Sequence, residues 1–386
     1  MFQKYRSTAE KIGDNMKMVG IIFSNIYDAT MGELTKHRTV ASLPFGGRYR
    51  QIDFVLSNMV NSGMSSVGII TKYNYQSLMD HLGSCSEWDM NRKNGGVFIL
   101  PPFGTGVTSI YKGKIEALYG AVAFLEKVNA EYVVMSDSTV LCNIDYDKVL
   151  EQHIASGADV TVIANKEQME ATEVQDLVLE VDNQGEMTDL AIQCAAGENS
   201  YIGMGMYIIN RQLLLDTIQD SVAHGLYHFE RDFLQRKYMK NQINIGVYHF
   251  ERTVLRNRNI TAYFRNNLKL MDDKVRGEIF CENSPIYTKV RDEVPTYYGD
   301  DCEVDNCLIA DGCRIDGVVE DSILFRDVTI EKGCHVKNCI IMQGTTVSKG
   351  TNLEYVIIDK DVVVTENRTL IGADTTPIII NKGEKV

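Results

Sequence analysis

Residues 18–50 read MVGIIFSNIYDATMGELTKHRTVASLPFGGRYR, and this stretch decides the fold of the first part of the chain. The apolar run Val19–Phe23 predicts a buried strand. A long connection follows, ends at the turn-forming sequence LPFGG of residues 43–47, and leads into a run that predicts a helix. A strand, a loop and a helix in this order are the layout of a nucleotide-binding loop.

Short sequences around this stretch give the chain a resemblance to a known family. They are Leu34-Thr35, Pro44-Phe45-Gly46-Gly47, Arg50-Gln51-Ile52-Asp53-Phe54, Leu56-Ser57-Asn58 and Asn61-Ser62-Gly63, followed by Trp88-Asp89, Asn94-Gly95-Gly96 and Leu100-Pro101-Pro102-Phe103. On these residues the chain resembles the sugar-nucleotide pyrophosphorylases, and among them the bacterial glucose-1-phosphate adenylyltransferases that make ADP-glucose for glycogen. The resemblance covers most of the chain and implies a nucleotidyltransferase domain followed by a β-helix.

Five positions of the loop depart from the pattern of that family. Working members carry Gly-Gly-x-Gly-x-Arg after the first strand and Ala-Lys-Pro-Ala-Val-Pro further on. The resemblance places the three glycines at Asn25, Ile26 and Asp28, the arginine at Thr30 and the lysine at Val40. Glycines let backbone amides approach a triphosphate, and Arg, Lys or a metal ion neutralises the charge of phosphoryl transfer. We therefore interpret the five positions as degenerate and expect no catalytic residue here.

The resemblance also implies two aspartates that hold Mg²⁺, and the sequence is altered at both. The first falls near Asp137 in the sequence VVMSDST of residues 133–139, where the Gly-Asp pair of the family is missing. The second falls at Asn257, between Arg256 and Arg258. Mg²⁺ requires hard and preferably charged oxygen ligands. We expect Asp137 and Asn257 to be vestiges of a metal site. The two arginines could bind an anion, pair with acidic neighbours or lie solvated on the surface.

Three segments of the implied sugar-phosphate pocket differ as well. Residues 113–117 read GKIEA in place of Gly-Thr-Ala-Asp-Ala, residues 179–182 lack a Glu-Lys-Pro triplet, and residues 202–205 lack the serine of Ala-Ser-Met-Gly. Departures at the triphosphate, metal and sugar contacts together indicate that the scaffold is kept while the chemistry is lost.

From Val19 to about Met271, apolar strands alternate with amphipathic helical stretches. The predicted strands are Val19–Phe23, Ser66–Thr71, Tyr132–Ser136, Val160–Ala164, Leu177–Val181, Met206–Ile209 and Asn244–Phe250. The predicted helices lie near Arg50–Asn61, Tyr75–Leu82, Lys114–Lys127, Tyr146–Ser156, Arg211–Ser221 and Phe229–Lys240. This alternation is typical of a mostly parallel sheet with helices on both faces, so we assign residues 1–280 to a Rossmann-like α/β domain. Ligands bind such sheets at the carboxyl ends of the strands.

Beyond about Glu303 the pattern changes to a hexapeptide rhythm. Apolar units at residues 306–309, 321–324, 338–341 and 354–357 recur at intervals of 15, 17 and 16 residues. Such coils predict a left-handed parallel β-helix over residues 281–386, in which each coil buries its apolar positions against its neighbours. The cysteines at 307, 313, 334 and 339 fall on or beside these inward positions, which predicts a packing role.

Composition limits the partners and the compartment. A formal net charge of −13 disfavours nucleic acid or an anionic membrane as the main partner, but leaves room for a local basic pocket. No apolar run approaches the roughly 20 residues of a membrane-spanning helix, and no signal-peptide core precedes the first strand. Nine cysteines without a Cys-x-x-Cys pair indicate neither a zinc site nor a disulfide framework. We expect a cytoplasmic, reduced protein.

The altered site resembles the non-catalytic, regulatory subunit of glucose-1-phosphate adenylyltransferase found in some Gram-positive bacteria. The resemblance implies assembly with a catalytic subunit in a heterotetramer, and a homo-oligomer stays open for the chain alone. It implies no cofactor for this chain, with Mg²⁺ only in the catalytic partner. Effectors of the family are sugar phosphates and related anions bound between the two domains. The candidate contacts for such an allosteric anion are His37, Arg38, Arg48 and Arg50.

Three other functions stay open. The chain could be an active sugar-phosphate nucleotidyltransferase with an atypical site, dependent on Mg²⁺ and on Asp137. Hexapeptide β-helices also occur in acyltransferases with a catalytic histidine, for which the repeats offer only His335. A sugar-phosphate sensor without a catalytic partner is the third alternative.

Overall fold

The computed structural model describes residues 18–102, 111–166, 173–182, 185, 187–197 and 200–386. The strands of its first part are β1 (Met18–Phe23), β2 (Pro44–Phe45), β3 (Tyr49–Arg50), β4 (Ser66–Ile70), β5 (Gly96–Leu100), β6 (Tyr132–Asp137), β7 (Val140–Leu141), β8 (Val160–Asn165), β9 (Val174–Gln175), β10 (Val178–Val181), β11 (Met187–Ala191), β12 (Cys194–Ala195), β13 (Tyr201–Asn210), β14 (Ile245–His249) and β15 (Leu255–Arg256). The α-helices are α1 (Gln51–Asn61), α2 (Gln76–Leu82), α3 (Lys114–Tyr119), α4 (Val122–Lys127), α5 (Tyr146–Ser156), α6 (Arg211–Ala223), α7 (Arg236–Tyr238), α8 (Ile260–Leu268) and α9 (Asp273–Ile279). Short 3₁₀ helices span Asp28–Thr35, Val40–Ser42, Ser86–Trp88 and Lys269–Met271, and a π-helix spans Phe229–Gln235.

The central sheet has nine strands, seven of which follow the order β11-β10-β13-β6-β1-β4-β5. Strand β8 pairs with β13 and with β14. The pairs β1–β4, β1–β6, β4–β5 and β8–β14 are parallel, whereas β13 runs antiparallel to β6, β8 and β10. The predicted α/β domain is confirmed. Its sheet also contains antiparallel pairs, because β13 is a long strand that enters the sheet in the opposite direction.

Strand β1 shows how the two faces of the sheet are buried. Val19 and Ile21 pack on one face with residues of α3 and α6, and Ile22 packs on the other face with residues of α1. Successive side chains of a strand point to opposite faces, so a fully apolar strand requires helices on both. At Gly20 a Cβ would lie 2.4 Å from the sulfur of Met59, so glycine allows α1 to pack closely.

Several predicted elements differ in detail from the structure. The stretch Lys114–Lys127 forms two helices, α3 and α4, that meet at Gly120, where a Cβ would lie 2.8 Å from the hydroxyl of Tyr111. The run predicted from Phe229 begins as a π-helix. Strand β5 and helices α8 and α9 were not predicted. No helix in the described ranges is long and apolar enough to cross a membrane.

The second part is a parallel β-helix, as the repeats predicted. Its strands are β16 (Tyr297–Tyr298), β17 (Glu303–Asp305), β18 (Leu308–Ile309), β19 (Arg314–Ile315), β20 (Val318–Glu320), β21 (Ile323–Leu324), β22 (Thr329–Ile330), β23 (His335–Lys337), β24 (Ile340–Ile341), β25 (Thr346–Val347), β26 (Asn352–Glu354), β27 (Val356–Ile358), β28 (Val363–Val364), β29 (Thr369–Ile371) and β30 (Ile378–Ile380). Every third strand stacks in register, which gives three five-stranded parallel sheets: β16-β19-β22-β25-β28, β17-β20-β23-β26-β29 and β18-β21-β24-β27-β30. Cys313, Cys334 and Cys339 lie in the core of the coils, in keeping with a packing role.

One face of the β-helix is buried against the α/β part. Ile323, Ile340 and Ile357, from the sheet that contains β18, share an apolar cluster with Phe45 and Phe264. Helix α9 ends at Ile279 and β16 begins at Tyr297, and the boundary assigned at residues 280 and 281 falls between them. This shared core fixes the orientation of the two parts and creates a cleft between them.

Candidate functional site

A cleft of about 820 Å³ opens at the carboxyl ends of β1 and β6. Its described lining combines polar and apolar side chains: Phe23, Asn25, Ile26, Tyr27, Asp28, Ala29, Lys72, Tyr73, Gly113, Lys114, Ala117, Asp137, Val140, Asp176, Leu177, Ile192, Gln193, Gly203, Met204, Gly205, Tyr207, His228, Glu230, Arg231, Gln235 and Arg258. Both the position and the size suit a small-molecule site of an α/β sheet. We call it the strand-end cleft.

The loop after β1 is closed by hydrogen bonds from its own side chains. The Asn25 amide nitrogen donates to an Asp28 carboxylate oxygen at 2.5 Å, and the Asn25 oxygen accepts the backbone N–H of Lys72 at 2.8 Å. The other Asp28 oxygen accepts the backbone N–H of Val40 at 2.8 Å. Backbone amides are the groups that would cradle a phosphate. Here the amide of Val40, in this connection, and that of Lys72, after β4, have acceptors within the protein.

The remaining positions of the loop add no phosphate ligand. Ile26 lines the strand-end cleft and packs partly against the apolar core, and the Val40 side chain is fully buried. The Thr30 hydroxyl donates to the backbone oxygens of Tyr27 and Arg258. The structure therefore brings Asn25, Ile26 and Asp28 to the cleft and leaves Thr30 and Val40 outside its lining.

A buried ion cluster occupies the floor of the strand-end cleft. The Lys114 ammonium, at the start of α3, lies 3.1 Å from both carboxylate oxygens of Asp137 and 2.6 Å from a carboxylate oxygen of Glu230. The Tyr207 hydroxyl donates to the same Glu230 oxygen at 3.0 Å. At Gly205 a Cβ would lie 2.3 Å from Asp137, so glycine makes room for the carboxylate. Because both carboxylates contact Lys114, its charge is neutralised within the protein.

Burial and these contacts shift the acid–base behaviour of the cluster. Burial raises the pKa of Asp137 to about 6, against the opposing attraction of Lys114. Burial also acts to raise the pKa of Glu230, but the attraction and hydrogen bond of Lys114 outweigh it and leave that pKa lowered. Burial acts to lower the pKa of Lys114, yet the two carboxylates raise it above its usual range. In the loop, burial raises the pKa of Asp28 to about 6.

The residues at the implied metal positions do not fit Mg²⁺. Asn257 is fully buried, donates to the Gln51 side chain at 3.2 Å and accepts from Asn266 at 2.9 Å, so its amide already has partners. Asp137 is bound to Lys114, and Asn257 does not line the cleft. Among the described residues, no group of three or more His, Cys, Asp or Glu side chains could hold a metal ion.

The two arginines beside Asn257 have different surroundings. Arg256 is buried and donates to the Asn165 side chain at 2.5 Å and to the Ile202 backbone oxygen at 3.2 Å. Arg258 lines the strand-end cleft and donates to the side chain of Gln175. Of the three residues, only Arg258 could meet a ligand in the cleft.

A second, basic cleft lies between the α/β part and the β-helix. Its lining is Pro44, Gly47, Arg48, Tyr49, Arg50, His81, Lys289, Arg291, Phe325, Arg326, Gln343 and Lys360. Six of these residues are Lys or Arg and none is Asp or Glu, which is the composition of an anion site. The volume is about 40 Å³, room for about three water-sized spheres, so the cleft in this form suits one phosphate-sized group. We call it the inter-part basic cleft.

The structure brings together only half of the predicted anion contacts. Arg48 and Arg50 line the inter-part basic cleft, whereas His37 is exposed elsewhere and Arg38 is buried in an ion pair with Asp359. Sequence reasoning missed the cations that come from later in the chain, Lys289, Arg291, Arg326 and Lys360. Only the docking of the β-helix brings them near Arg48, so no local motif could have signalled them.

Crowding of positive charge changes two of these side chains. Burial lowers the pKa of Lys360 to about 7, and repulsion from Arg50, Arg38 and Arg291 adds to this effect. Burial lowers the pKa of Arg50 to about 10, although the attraction of Asp53 opposes it. The Arg50 guanidinium donates to the backbone oxygen of Ser77 at 2.6 Å, which holds it in place. An anion in the cleft would relieve this repulsion.

Comparison with known proteins identifies the family. Residues 31–237, which are 207 of the 386 residues, match the family described as nucleotidyl transferase. The chain belongs to the nucleotidyl transferase family. Residues 294–377 of the chain also match a family described as GlmU-like, C-terminal hexapeptide, in agreement with the β-helix. The predicted resemblance to sugar nucleotidyltransferases is thereby confirmed.

Three curated relatives of the chain are named either GlgD or glucose-1-phosphate adenylyltransferase. It is 38% identical over 329 residues to the glycogen biosynthesis protein GlgD of Geobacillus stearothermophilus, covering 83% of each chain. It is 33% identical over 369 residues to GlgD of Bacillus subtilis (strain 168), covering 96% of this chain and 97% of the relative. It is 30% identical over 328 residues to the glucose-1-phosphate adenylyltransferase of Geobacillus stearothermophilus, covering 83% of each chain.

Proposed function

We propose that the chain is a regulatory, catalytically inactive subunit of glucose-1-phosphate adenylyltransferase that acts in glycogen biosynthesis. The observation that carries this proposal is the state of the strand-end cleft. There Asn25 and Asp28 bind the backbone amides of Lys72 and Val40, and two carboxylates neutralise Lys114. Phosphoryl transfer needs free donors and cations at the phosphates. The similarity to proteins named GlgD and glucose-1-phosphate adenylyltransferase supports the assignment to this system.

In this role the chain assembles in the cytoplasm with a catalytic adenylyltransferase subunit as a heterotetramer. It needs no cofactor of its own, and Mg²⁺ acts only in the partner. To raise the activity of the partner, binding need only favour the active conformation by about 1–3 kcal/mol. The shared apolar core between the α/β part and the β-helix supports such a bias, because it couples the two parts.

The inter-part basic cleft is the effector site in this proposal. Its six cations and lack of acidic lining support binding of a sugar phosphate or a related anion through one phosphate group. Because the cleft lies between the two parts, an anion there would contact residues of both. We assign Arg48 and Arg50 as contacts, with Lys289, Arg291, Arg326 and Lys360 from the later part of the chain.

The test is ADP-glucose formation from ATP and glucose 1-phosphate, for this chain alone and mixed with the catalytic subunit of the same organism. We expect no turnover by the chain alone and a severalfold rise in the rate of the partner on mixing. Arg48→Met should weaken the response to inorganic phosphate or a sugar phosphate, whereas the control Arg368→Met, at an exposed site on the β-helix, should not. Turnover by the chain alone would reject the inactive assignment.

One observation favours a second candidate function. The strand-end cleft keeps a volume of about 820 Å³ and the carboxylate of Asp137, so an active nucleotidyltransferase with an atypical site is the alternative. It predicts turnover by the pure chain that depends on Mg²⁺ and is lost in Asp137→Asn. The acyltransferase alternative has no comparable support, since the exposed His335 ring contacts Glu320 at 3.3 Å. Copurification of a second adenylyltransferase chain would exclude a lone sensor.

A further inference from the structure

The two ends of the β-helix are finished differently. At the C-terminal end the last residues fold back onto β28: the Val363 N–H donates to the Glu384 backbone oxygen at 3.0 Å, and the Thr365 N–H donates to that of Val386 at 2.7 Å. At the N-terminal end, β16, β17 and β18 are the outermost strands of the three sheets. Within the described ranges no strand pairs with their outer edges. We call this end the first coil.

The first coil exposes apolar side chains beside its open strand edges. Tyr297 and Tyr298 are 52% and 50% exposed and Val304 is 39% exposed, and Val290 and Val294 in the preceding connection are also exposed. Open strand edges are templates for association, and repeat proteins normally close their ends with polar caps. A surface that combines open edges with exposed aromatic and β-branched residues has the composition of an interface core.

Negative charge surrounds this apolar surface. Residues 292–313 contain seven Asp or Glu and no Lys or Arg. Asp300, Asp301, Glu303 and Asp305 are all exposed along β17 and the turn before it. Two cations lie beside this rim. Lys332 is 3.7 Å from Asp301, and that pair is itself largely exposed and weak. The Arg314 guanidinium lies 5.3 Å from the centre of the Tyr297 ring and pairs with Asp316 at 3.2 Å. Asp311 is paired with Arg326 at 3.1 Å and contributes less to the rim.

This acidic rim decides between two kinds of partner. If two copies of the chain met end to end, their rims would face each other and like charges would oppose the contact. A different chain with Lys and Arg around an apolar centre would be attracted and correctly oriented. The charge of the first coil therefore selects a heterotypic partner.

We propose that the first coil docks the catalytic subunit, through a surface of that subunit with an apolar centre and a basic rim. This inference rests on the proposed function and deepens it by naming the docking surface and the chemistry of its partner. The open edges of the terminal strands supply backbone hydrogen bonds, the apolar residues exclude water, and the acidic rim confers specificity.

The experiment measures the affinity of the full chain for the catalytic adenylyltransferase subunit of the same organism by sedimentation velocity, at low and high NaCl. Neutralisation of the rim in D300N/D301N/E303Q/D305N should weaken the complex at least tenfold and flatten its dependence on salt. The matched control E126Q/E131Q/E151Q/E366Q removes four exposed carboxylates elsewhere and should change the affinity less than twofold. A second variant, Val304→Asp, places a charge in the apolar centre and should abolish the complex while the circular dichroism stays unchanged.

Different failures are distinguishable in this design. If the chain activates the partner but neither first-coil variant changes the affinity of the complex, the proposed docking surface is wrong and the proposed function stands. A wild-type homodimer that Val304→Asp dissociates would overturn the heterotypic partner. Absence of both complex and activation for the wild-type chain would overturn the proposed function itself.

Discussion

Arg38 and Asp359 form a buried ion pair between the α/β part and the β-helix. One terminal nitrogen of Arg38 lies 2.8 and 2.7 Å from the two Asp359 oxygens, and both side chains are about 95% buried. Two residues beyond Arg38, the Val40 N–H is held by Asp28 in the strand-end cleft. Directly after Asp359, Lys360 lines the inter-part basic cleft. The pair thus connects the two clefts through a few covalently linked residues.

Asp359→Ala should lower the free energy of unfolding by about 3–5 kcal/mol, because it leaves a buried guanidinium without its counter-charge. Urea unfolding monitored by fluorescence checks this. The double variant Arg38→Met/Asp359→Ala should recover part of the loss, since no unpaired charge then remains. As a control, Glu33→Ala removes an exposed pair with Lys36 and should change stability by less than about 0.5 kcal/mol. An effect of Asp359→Ala as small as that of the control would show that the Arg38–Asp359 ion pair does not stabilise the fold.

Asp28→Ala should expose the Val40 amide to hydrogen exchange. The substitution removes the carboxylate that accepts this N–H, and an unsatisfied buried donor costs about 1–3 kcal/mol, which corresponds to roughly tenfold to hundredfold faster exchange. Residue-resolved hydrogen exchange measures it. The adjacent Ala41 amide donates to the Ser24 backbone oxygen and should keep its rate. Unchanged exchange at Val40 would show that the loop is not held by Asp28.

Asp137→Asn should gain stability relative to the wild-type chain as the pH rises from 4 to 7. The pKa of Asp137 is about 6 in the folded protein and 3.8 as a free side chain, so between these values the folded state holds more protons and the wild-type chain loses stability with rising pH. Asparagine removes this loss. At about 1.4 kcal/mol per pKa unit, the relative gain is on the order of 2 kcal/mol. Urea unfolding at both pH values measures this gain. If the difference in stability between Asp137→Asn and the wild-type chain did not depend on pH, Asp137 could not be a buried carboxyl group with a raised pKa.

Anion binding in the inter-part basic cleft should take up a proton above pH 7. The pKa of Lys360 is lowered to about 7, so at pH 8 the amine is mostly neutral, and a bound anion raises its pKa and charges it. Calorimetry with sulfate, which does not itself titrate here, in two buffers of different ionisation enthalpy counts the protons. Proton uptake should vanish in Lys360→Met. It should persist in Arg48→Met, because this substitution weakens anion binding but leaves the titrating Lys360 in place. Equal enthalpies in both buffers for the wild-type chain would refute the assignment.

Local patterns were sufficient to predict the two parts of the fold and many of their elements. The apolar run at Val19–Phe23 and the hexapeptide units specify their own elements, because each buries side chains with a fixed period. The direction of β13 could not be predicted in this way, because the apolar pattern of a strand does not show whether it runs parallel or antiparallel to its neighbours. The division of residues 114–127 into two helices depends on the contact of Gly120 with Tyr111, which is tertiary.

Part of the candidate site was predicted, because Asp137 and Arg258 as well as loop residues were singled out from the sequence and line the strand-end cleft. The sequence pointed to Asn25, Ile26 and Asp28, and the structure places all three at the strand-end cleft. The cluster of Lys114, Asp137 and Glu230 joins residues up to 116 positions apart, so no local sequence spacing could predict these contacts. Arg38 was expected to meet an anion from solvent, yet its partner is Asp359, 321 residues away.

The hydrogen bonds that close the loop after β1 also restrict which single substitutions the loop can accept without a loss of stability. If Asn25 alone reverts to glycine, the Lys72 amide and Asp28 each lose a partner in a buried setting. If Asp28 alone reverts, the Val40 amide is stranded. Each of these two single changes therefore gives a less stable intermediate. In the proposed inactive subunit, a phosphate-binding loop could arise only by simultaneous changes at Asn25 and Asp28.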